Sequence, residues 1–134
     1  MYKNGNIQAT GKGTAISWDK LSDERFKKNI QTIPSSLEKI AQLRGVYFDW
    51  RTDKFSKRNF PEGQHIGLIA QEIETVFPEL VSTQKDGYKS VSYSNLVAPL
   101  IEAVKELKHQ NQALQNELTS LKTQLDELKQ LIQK

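Results

Sequence analysis

Residues 104–132 read VKELKHQNQALQNELTSLKTQLDELKQLI, and their apolar side chains recur at alternating gaps of three and four. This spacing is the heptad pattern of a coiled coil. The predicted leucine seam consists of Val104, Asn111, Leu118, Leu125 and Ile132 at position a and of Leu107, Leu114, Leu121 and Leu128 at position d. A lone helix would leave this stripe in water. The pattern therefore predicts a long helix over residues 94–134 that associates with other copies of itself.

Individual residues of this helix bear on how the copies associate. Asn111 at position a is a known device for fixing register, and Glu117 at g with Lys122 at the following e suits a parallel arrangement. The mixed side chains at a and d are compatible with dimers or trimers, so the number of strands stays open at this point. Pro99 lies about one turn inside the helix, which predicts a first turn that is kinked or separately capped.

The composition limits the chemistry of the chain. Among 134 residues there is no cysteine and there are two histidines, so a disulfide framework and a thiol nucleophile are excluded and a histidine-rich metal site is disfavoured. Lys plus Arg total 19 and Asp plus Glu total 16, and the net charge of +3 does not by itself indicate nucleic acid or an anionic membrane. No apolar run approaches the roughly 20 residues that cross a bilayer. We expect a soluble chain that needs no cofactor and no metal.

The chain before the long helix begins with short elements and turns. Residues 1–20 contain glycines and isolated apolar residues, which predicts short β segments and turns belonging to a structure upstream. Residues 22–33 fit either a helix or an extended strand. Ser35 or Ser36 is predicted to cap a short helix that runs through Leu43. The buried side of that helix would consist of Leu37, Ile40, Ala41 and Leu43.

The middle of the chain carries strand signals on either side of one helix. Residues 46–50 alternate between an apolar face (Val46, Phe48 and Trp50) and a second face, as in a half-buried strand. Residues 51–65 are polar and basic and predict a long loop or an extended hairpin. The apolar spacing within residues 66–77 predicts a helix that ends at a proline. A hairpin around Gly87 and a short strand at 89–93 follow.

Three blocks of sequence occur in the order and spacing of one known family. They are SDERFKKNI at 22–30, GLIAQEIETVFPELV at 67–81 and KSVSYSNLVAPLIEAVKELK at 89–108. Together they resemble the endosialidase-type intramolecular chaperone auto-processing domain, which is found at the C-terminus of phage tailspikes and tail fibres and in a membrane-bound trimeric transcription factor of animals. The resemblance covers residues 22 to about 108 closely, and the coiled coil beyond them in kind.

The resemblance implies an α+β fold, in which a small helix/strand globular domain precedes a long C-terminal helix that forms a parallel trimeric coiled coil. Residues 1–21 would be the stub of an upstream fibre, 22–92 the chaperone and auto-processing domain, and 93–134 the coiled-coil helix. Such domains form homotrimers, guide the folding of an upstream β-structural fibre of the same polypeptide, and then cut themselves off. The chain would belong to a phage tail-fibre precursor made in the bacterial host cytoplasm. Its chaperone part would be released and absent from the mature virion, with no nucleic acid and no membrane as partner.

The same resemblance implies a cleavage site and a catalytic pair. The scissile bond is Leu21–Ser22, with Ser22 as the nucleophile and Lys27 as the general base. Phe26 replaces the leucine that is commonest before this lysine, which is a conservative change. The loop at 51–65 is longer and more basic than the family pattern, and its role stays open.

A lysine must be neutral to remove the proton of a serine hydroxyl. At the ordinary pKa near 10.4, only about one lysine in 2,500 is neutral at pH 7. Burial and like charge both lower such a pKa, and Arg25 and Lys28 lie close to Lys27 in sequence. Assembly of a trimer would gather three copies of this basic cluster and exclude water. We therefore expect cleavage to depend on assembly.

The spacing of Ser22 and Lys27 does not suit a regular element. Five residues along a helix place two side chains about 140° apart, and along a strand they lie on opposite faces. Either residues 23–25 form a turn, or the lysine acts on a neighbouring chain. Apart from the resemblance, the two acidic residues after Ser22 favour an ordinary helix cap.

Several other polar residues have two interpretations each. Gln71 and Glu72 lie on a solvated helix face or support the cleavage site, and the solvated face is favoured. His65 is expected in a loop or at a strand edge, and His109 at heptad position f is expected in solvent. The basic residues of 51–58 form a solvated loop or touch the client fibre.

Two other functions compete with a self-releasing chaperone. A structural trimerisation tip that is never cleaved needs the same coiled coil, so the sequence does not separate the two. A zipper-type DNA-binding dimer is disfavoured because its basic region should run continuously into the first heptad, and residues 93–104 contain no lysine or arginine.

Overall fold

The computed structural model describes residues 20–134, which fall into two compact units. The first unit contains the chain up to Ile30 together with Gly45–Gly67, and the second contains Gln31–Arg44 and Leu68–Lys134. Short strands and helices precede one long helix, which confirms the α+β class. The β and turn segments predicted for residues 1–19 lie outside the described residues. The domain division at residues 21 and 92 stays a prediction.

The first unit is built on an antiparallel hairpin of β1 (Val46–Asp49) and β2 (Gln64–Gly67). Val46 lies opposite Gly67, and Asp49 lies opposite Gln64. The strand predicted at residues 46–50 is present as β1, and of the long loop or extended hairpin predicted for residues 51–65 the structure has the hairpin. The prediction of a helix from residue 66 is wrong at its start, because residues 64–67 pair with β1 and α2 begins at Ala70. Strand pairing with a partner elsewhere in the chain gives little local sequence signal.

An aromatic cluster closes this hairpin. The Trp50 ring stacks on Phe60 with centroids 4.3 Å apart, and Phe48 meets Trp50 edge-on at 5.0 Å. His65, opposite Phe48 in the strand register, lies 5.7 Å from the Phe48 ring. Contacts of this kind add stabilisation beyond burial alone, so they hold the long connection between the two strands. His65 is a strand residue, as expected.

The second unit joins three helices and a second hairpin. Its elements are α1 (Ser36–Ala41), α2 (Ala70–Val76), β3 (Val81–Thr83), β4 (Lys89–Val91) and α3 (Val97–Ile132). β3 and β4 are antiparallel, with Val81 opposite Val91. Gly87 has φ +83° in the connecting turn, a conformation that glycine adopts without strain. The hairpin predicted around Gly87 is confirmed.

The core of the second unit forms on the apolar face of α2. Ile73 and Phe77 are buried there with Leu96, which lies just before α3. The partly buried side chains around them are Ile33, Ile40, Leu43, Leu68, Val76, Leu80, Val81 and Val91. At the edge of this core, the Tyr93 hydroxyl accepts a hydrogen bond from Leu68 N at 2.9 Å. The predicted helix face is therefore the face that packs.

Helix α1 is capped by a side chain from α3 and not by a serine. Ser35 occupies the N-cap position with φ +53° and makes no capping hydrogen bond through its side chain. The Glu106 carboxylate instead accepts hydrogen bonds from Ser36 N at 2.8 Å and Leu37 N at 2.9 Å. It satisfies two of the free N–H groups at the helix start, where a negative charge is also favourable. The predicted serine cap is wrong, and Ala41 is exposed where the pattern predicted burial.

Helix α3 begins inside the fold and continues as an exposed rod. Pro99 and Ala103 are buried, and the proline lies in the first turn, where its missing N–H has no helical partner to lose. A separate 3₁₀ turn at Tyr93–Leu96 precedes the helix, and no side chain of the described residues caps the helix start. The eight apolar residues of the leucine seam are between 47% and 83% exposed. None of the helices in residues 20–134 combines the length and the apolar character needed to span a membrane.

Truncation of Ile73 to alanine should damage the core of the second unit. We expect the free energy of unfolding to fall by about 2–5 kcal/mol, from lost burial and from the cavity that is left. Ile66→Ala is the matched control, because Ile66 is 74% exposed. Urea denaturation at one fixed protein concentration measures both variants. Equal losses would contradict this assignment of the core.

Removal of the Glu106 carboxylate should weaken the junction between α1 and α3. We expect Glu106→Ala to lower the free energy of unfolding by about 1–2 kcal/mol, since two N–H groups of α1 lose their acceptor. Glu127→Ala removes an exposed glutamate from the same helix and should change little. The result that speaks against the cap is a Glu106→Ala protein as stable in urea as the Glu127→Ala control.

Candidate active site

The structure brings Ser22 and Lys27 into contact within one chain. The Lys27 Nζ donates a hydrogen bond to the Ser22 Oγ at 2.8 Å. The two residues are five positions apart, a spacing that neither a regular helix nor a strand can bridge. Of the two alternatives that the sequence left open, this contact corresponds to a turn between the two residues.

The turn is a 3₁₀ helix of three residues, Glu24–Phe26. Asp23 is its N-cap, and the Asp23 Oδ1 accepts a hydrogen bond from Arg25 N at 2.9 Å. The backbone N–H of Lys27 donates to the Glu24 carbonyl at 2.9 Å, after which the chain becomes extended. Ser22 therefore lies outside the cap, and the interpretation of Ser22 as an ordinary helix cap is wrong.

Arg25 is paired with Asp23 at the same turn. Its Nε donates to Asp23 Oδ1 at 3.0 Å, and its Nη2 donates to Asp23 Oδ2 at 2.8 Å. The hydrogen bonds from the Arg25 side chain and then from its backbone hold the pKa of the Asp23 carboxyl below its usual range, and the charge of Lys27 adds to this effect. Because its charge is compensated by Asp23, Arg25 adds less positive charge around Lys27 than the sequence suggested.

Ser22 and Lys27 are both exposed in the single chain. Leu21, on the other side of the predicted scissile bond, is 90% exposed. A serine hydroxyl within hydrogen-bond distance of an amine is a suitable arrangement for a nucleophile and its base. Such a base works in a site that excludes water, and residues 20–134 of one chain leave both side chains of this pair exposed.

Glu72, which the sequence left between two roles, forms an ion pair with a residue that sequence reasoning missed. The Glu72 Oε1 accepts hydrogen bonds from Arg44 Nη2 at 2.7 Å and from Arg44 Nε at 3.0 Å. These hydrogen bonds lower the pKa of Glu72, so the pair contributes stability above the ordinary glutamate pKa and loses it as the pH falls through the lowered value. Gln71 on the same helix is exposed, as the favoured interpretation predicted.

The histidines and acidic residues of the described range do not form a metal site. Across residues 20–134, no group of three or more His, Asp or Glu side chains is arranged to hold a metal ion. His65 lies in the aromatic cluster of the hairpin, and His109 is exposed on α3. The basic connection after Trp50 contains a 3₁₀ turn at Ser56–Arg58, which no local pattern had indicated.

Comparison with known proteins relates this site to a family. Residues 22–82 match the family described as the chaperone of endosialidase. The long tail fiber protein Gp37 of Enterobacteria phage K3 is 31% identical over 125 residues, which cover 87% of this chain and 10% of that protein. The Gp37 protein of Enterobacteria phage T2 is also 31% identical, over 87% of this chain and 9% of its own length.

A third relative extends the similarity over almost the whole chain. The long tail fiber protein Gp37 of Salmonella phage S16 is 29% identical over 136 residues, which cover 96% of this chain and 17% of that protein. The chain thus spans between 9% and 17% of the length of these three relatives. The matched family segment begins at Ser22 and includes Lys27, α1, the β1–β2 hairpin and α2. Residues 22–82 of this chain therefore belong to the chaperone of endosialidase family.

Proposed function

We propose that this chain is the intramolecular chaperone of a phage tail-fibre precursor. Three copies associate along the leucine seam, assist the folding of the fibre that precedes them, and release it by cutting the Leu21–Ser22 bond. The observation that carries the proposal is the hydrogen bond between Lys27 Nζ and Ser22 Oγ, within a segment that matches the chaperone of endosialidase family.

Association is supported by the exposure of the seam. Helix α3 has 36 residues, and at 1.5 Å per residue it is about 54 Å long. Burying a half-exposed leucine contributes on the order of 1 kcal/mol, and each chain offers eight apolar seam positions. A parallel arrangement follows from the Glu117 and Lys122 positions, and the number three follows from the resemblance of the three sequence blocks.

Cleavage would proceed through an ester. The Ser22 Oγ attacks the carbonyl carbon of Leu21 while its proton passes to a neutral Lys27 Nζ. The bond from that carbon to Ser22 N breaks, and Lys27 returns the proton to the leaving amine. Water then hydrolyses the ester to a Leu21 carboxylate and a free Ser22 hydroxyl, so that Ser22 becomes a new N-terminus.

Assembly would switch this chemistry on. Both side chains are exposed in the single chain. Partner chains and the client fibre would cover the pair, exclude water and favour the neutral amine. Cleavage would then report that three chains have assembled, which suits a checkpoint in folding.

Release would also stabilise the product. The chaperone supplies a trimeric nucleus while the fibre folds in the bacterial host cytoplasm. Once the connection is cut, the fibre has lost the template on which it formed. Its persistence then depends on its unfolding barrier, and the free chaperone is absent from the mature virion.

Substitution of either member of the pair should stop cleavage. We expect Ser22→Ala to abolish the fragment that begins at Ser22, and Lys27→Ala to slow its appearance by about 10²–10⁴-fold, the usual contribution of a general base. Ser120→Ala and Lys85→Ala are matched controls at exposed positions outside the first unit. Intact-mass spectrometry of the purified full chain measures the fragment over time. Wild-type chains that assemble but stay intact would favour a trimerisation tip that is never cleaved.

Charges placed in the seam should remove both assembly and cleavage. We expect the double variant Leu114→Asp, Leu121→Asp to be monomeric in sedimentation equilibrium at micromolar concentration and to remain uncleaved, because burying those carboxylates is costly. His109→Asp adds a charge at an exposed position of the same helix and should leave the trimer in place. A monomeric double variant that cleaves at the wild-type rate contradicts activation by assembly, and a wild-type dimer contradicts the number three.

A further inference from the structure

We infer that Asp23 is a positioning residue, which holds the turn that brings Lys27 to Ser22. The inference rests on the proposed function, since it concerns the same Ser–Lys pair. It adds to that function a residue that neither attacks the peptide bond nor moves a proton.

The side chains of Ser22 and Lys27 must point toward each other for the pair to form. Ser22 and Lys27 would face apart in any regular element, and their contact depends on the three-residue turn between them. Lys27 itself has extended φ and ψ of −116° and 150°, so the turn must end at this residue for its side chain to reach Ser22. A change in the turn of one residue would separate the two groups.

Packing does not hold this turn. None of its three residues is buried, and Phe26 is 72% exposed. The contacts that define it are the two backbone hydrogen bonds, from Phe26 N to Asp23 O and from Lys27 N to Glu24 O, and the Asp23 cap. Isolated turns of this length are marginal in water, because ordering the backbone costs more than one or two hydrogen bonds return.

The two carboxylate oxygens of Asp23 accept three hydrogen bonds from Arg25. The one that sets the backbone direction is the bond from Arg25 N to Asp23 Oδ1 at 2.9 Å, which satisfies a free N–H group at the start of the turn. The two bonds from the Arg25 guanidinium fix the carboxylate in the rotamer that makes this cap. The ion pair is exposed, so its charge contributes little by itself.

The cap is complete at the pH where cleavage would occur. Arg25 lowers the pKa of the Asp23 carboxyl, so the ionised form persists through and below the ordinary aspartate range. A group with a lowered pKa contributes above its unfolded value and loses that contribution only as the pH falls through its folded value. Protonation of Asp23 thus does not disturb the turn near neutral pH.

The test is a set of single substitutions in the full chain, measured as the rate of appearance of the Ser22 fragment by intact mass. We expect Asp23→Ala to slow cleavage by about five- to tenfold, the effect of losing one capping bond. Asp23→Asn keeps an oxygen for Arg25 N and should restore the rate to within about threefold of wild type. Glu24→Ala is the matched control, because its side chain is exposed in the same turn and takes no part in the cap.

Two results would overturn the inference. One is an Asp23→Ala protein that cleaves at the wild-type rate while remaining trimeric. The other is an Asp23→Asn protein as slow as Asp23→Ala, which would mean that the charge and not the cap is required.

A measurement that does not depend on cleavage separates this inference from the proposed function. In an uncleavable Ser22→Ala background, we expect Asp23→Ala to accelerate hydrogen exchange of the Arg25 amide several-fold, as seen by NMR, because its acceptor is lost. If wild-type chains never cleave and this amide still loses protection, the proposed function fails but the role of Asp23 in the turn stands. Unchanged exchange of the Arg25 amide refutes the inference in either case.

Discussion

The leucine seam is the constraint on which the proposed function depends, because one chain leaves this apolar stripe in solvent. The seam runs along a 36-residue helix, and its apolar residues are between 47% and 83% exposed in one chain. The first turns of the same helix lie in the core of the second unit, where Ala103 is buried and Glu106 caps α1. Association along the seam would therefore also align the parts of each chain that pack against α3.

The pair of Ser22 and Lys27 differs from the seam in what one chain provides. The two side chains already contact each other within one chain, but they are exposed there. The 2.8 Å hydrogen bond joins two residues on either side of a short turn. Both side chains remain in solvent. The contact between the two side chains is local, but the cover that would exclude water must come from elsewhere. This is why the proposed cleavage would depend on assembly.

The features that sequence analysis predicted correctly are those with a local period or a local turn signal. The alternation of residues 46–49, the hairpin at Gly87, the apolar face of α2 and the long helix α3 each show in the residues that form them. The features that it missed involve partners far apart in the chain. Residues 64–67 become a strand because β1 pairs with them, and α1 is capped by Glu106, 70 residues after Ser36.

The candidate nucleophile and base could be named only through the resemblance of the three sequence blocks, whereas the heptad pattern of the long helix depends on side-chain type and spacing alone. Whether residues 23–25 form a turn could not be inferred, since the same residues also fit a helix start. In the structure these residues form a 3₁₀ turn that begins at the Asp23 cap. The Arg44–Glu72 pair and the Glu106 cap likewise exist only in the folded chain, because residues 28 to 70 positions apart become neighbours only when the core has formed.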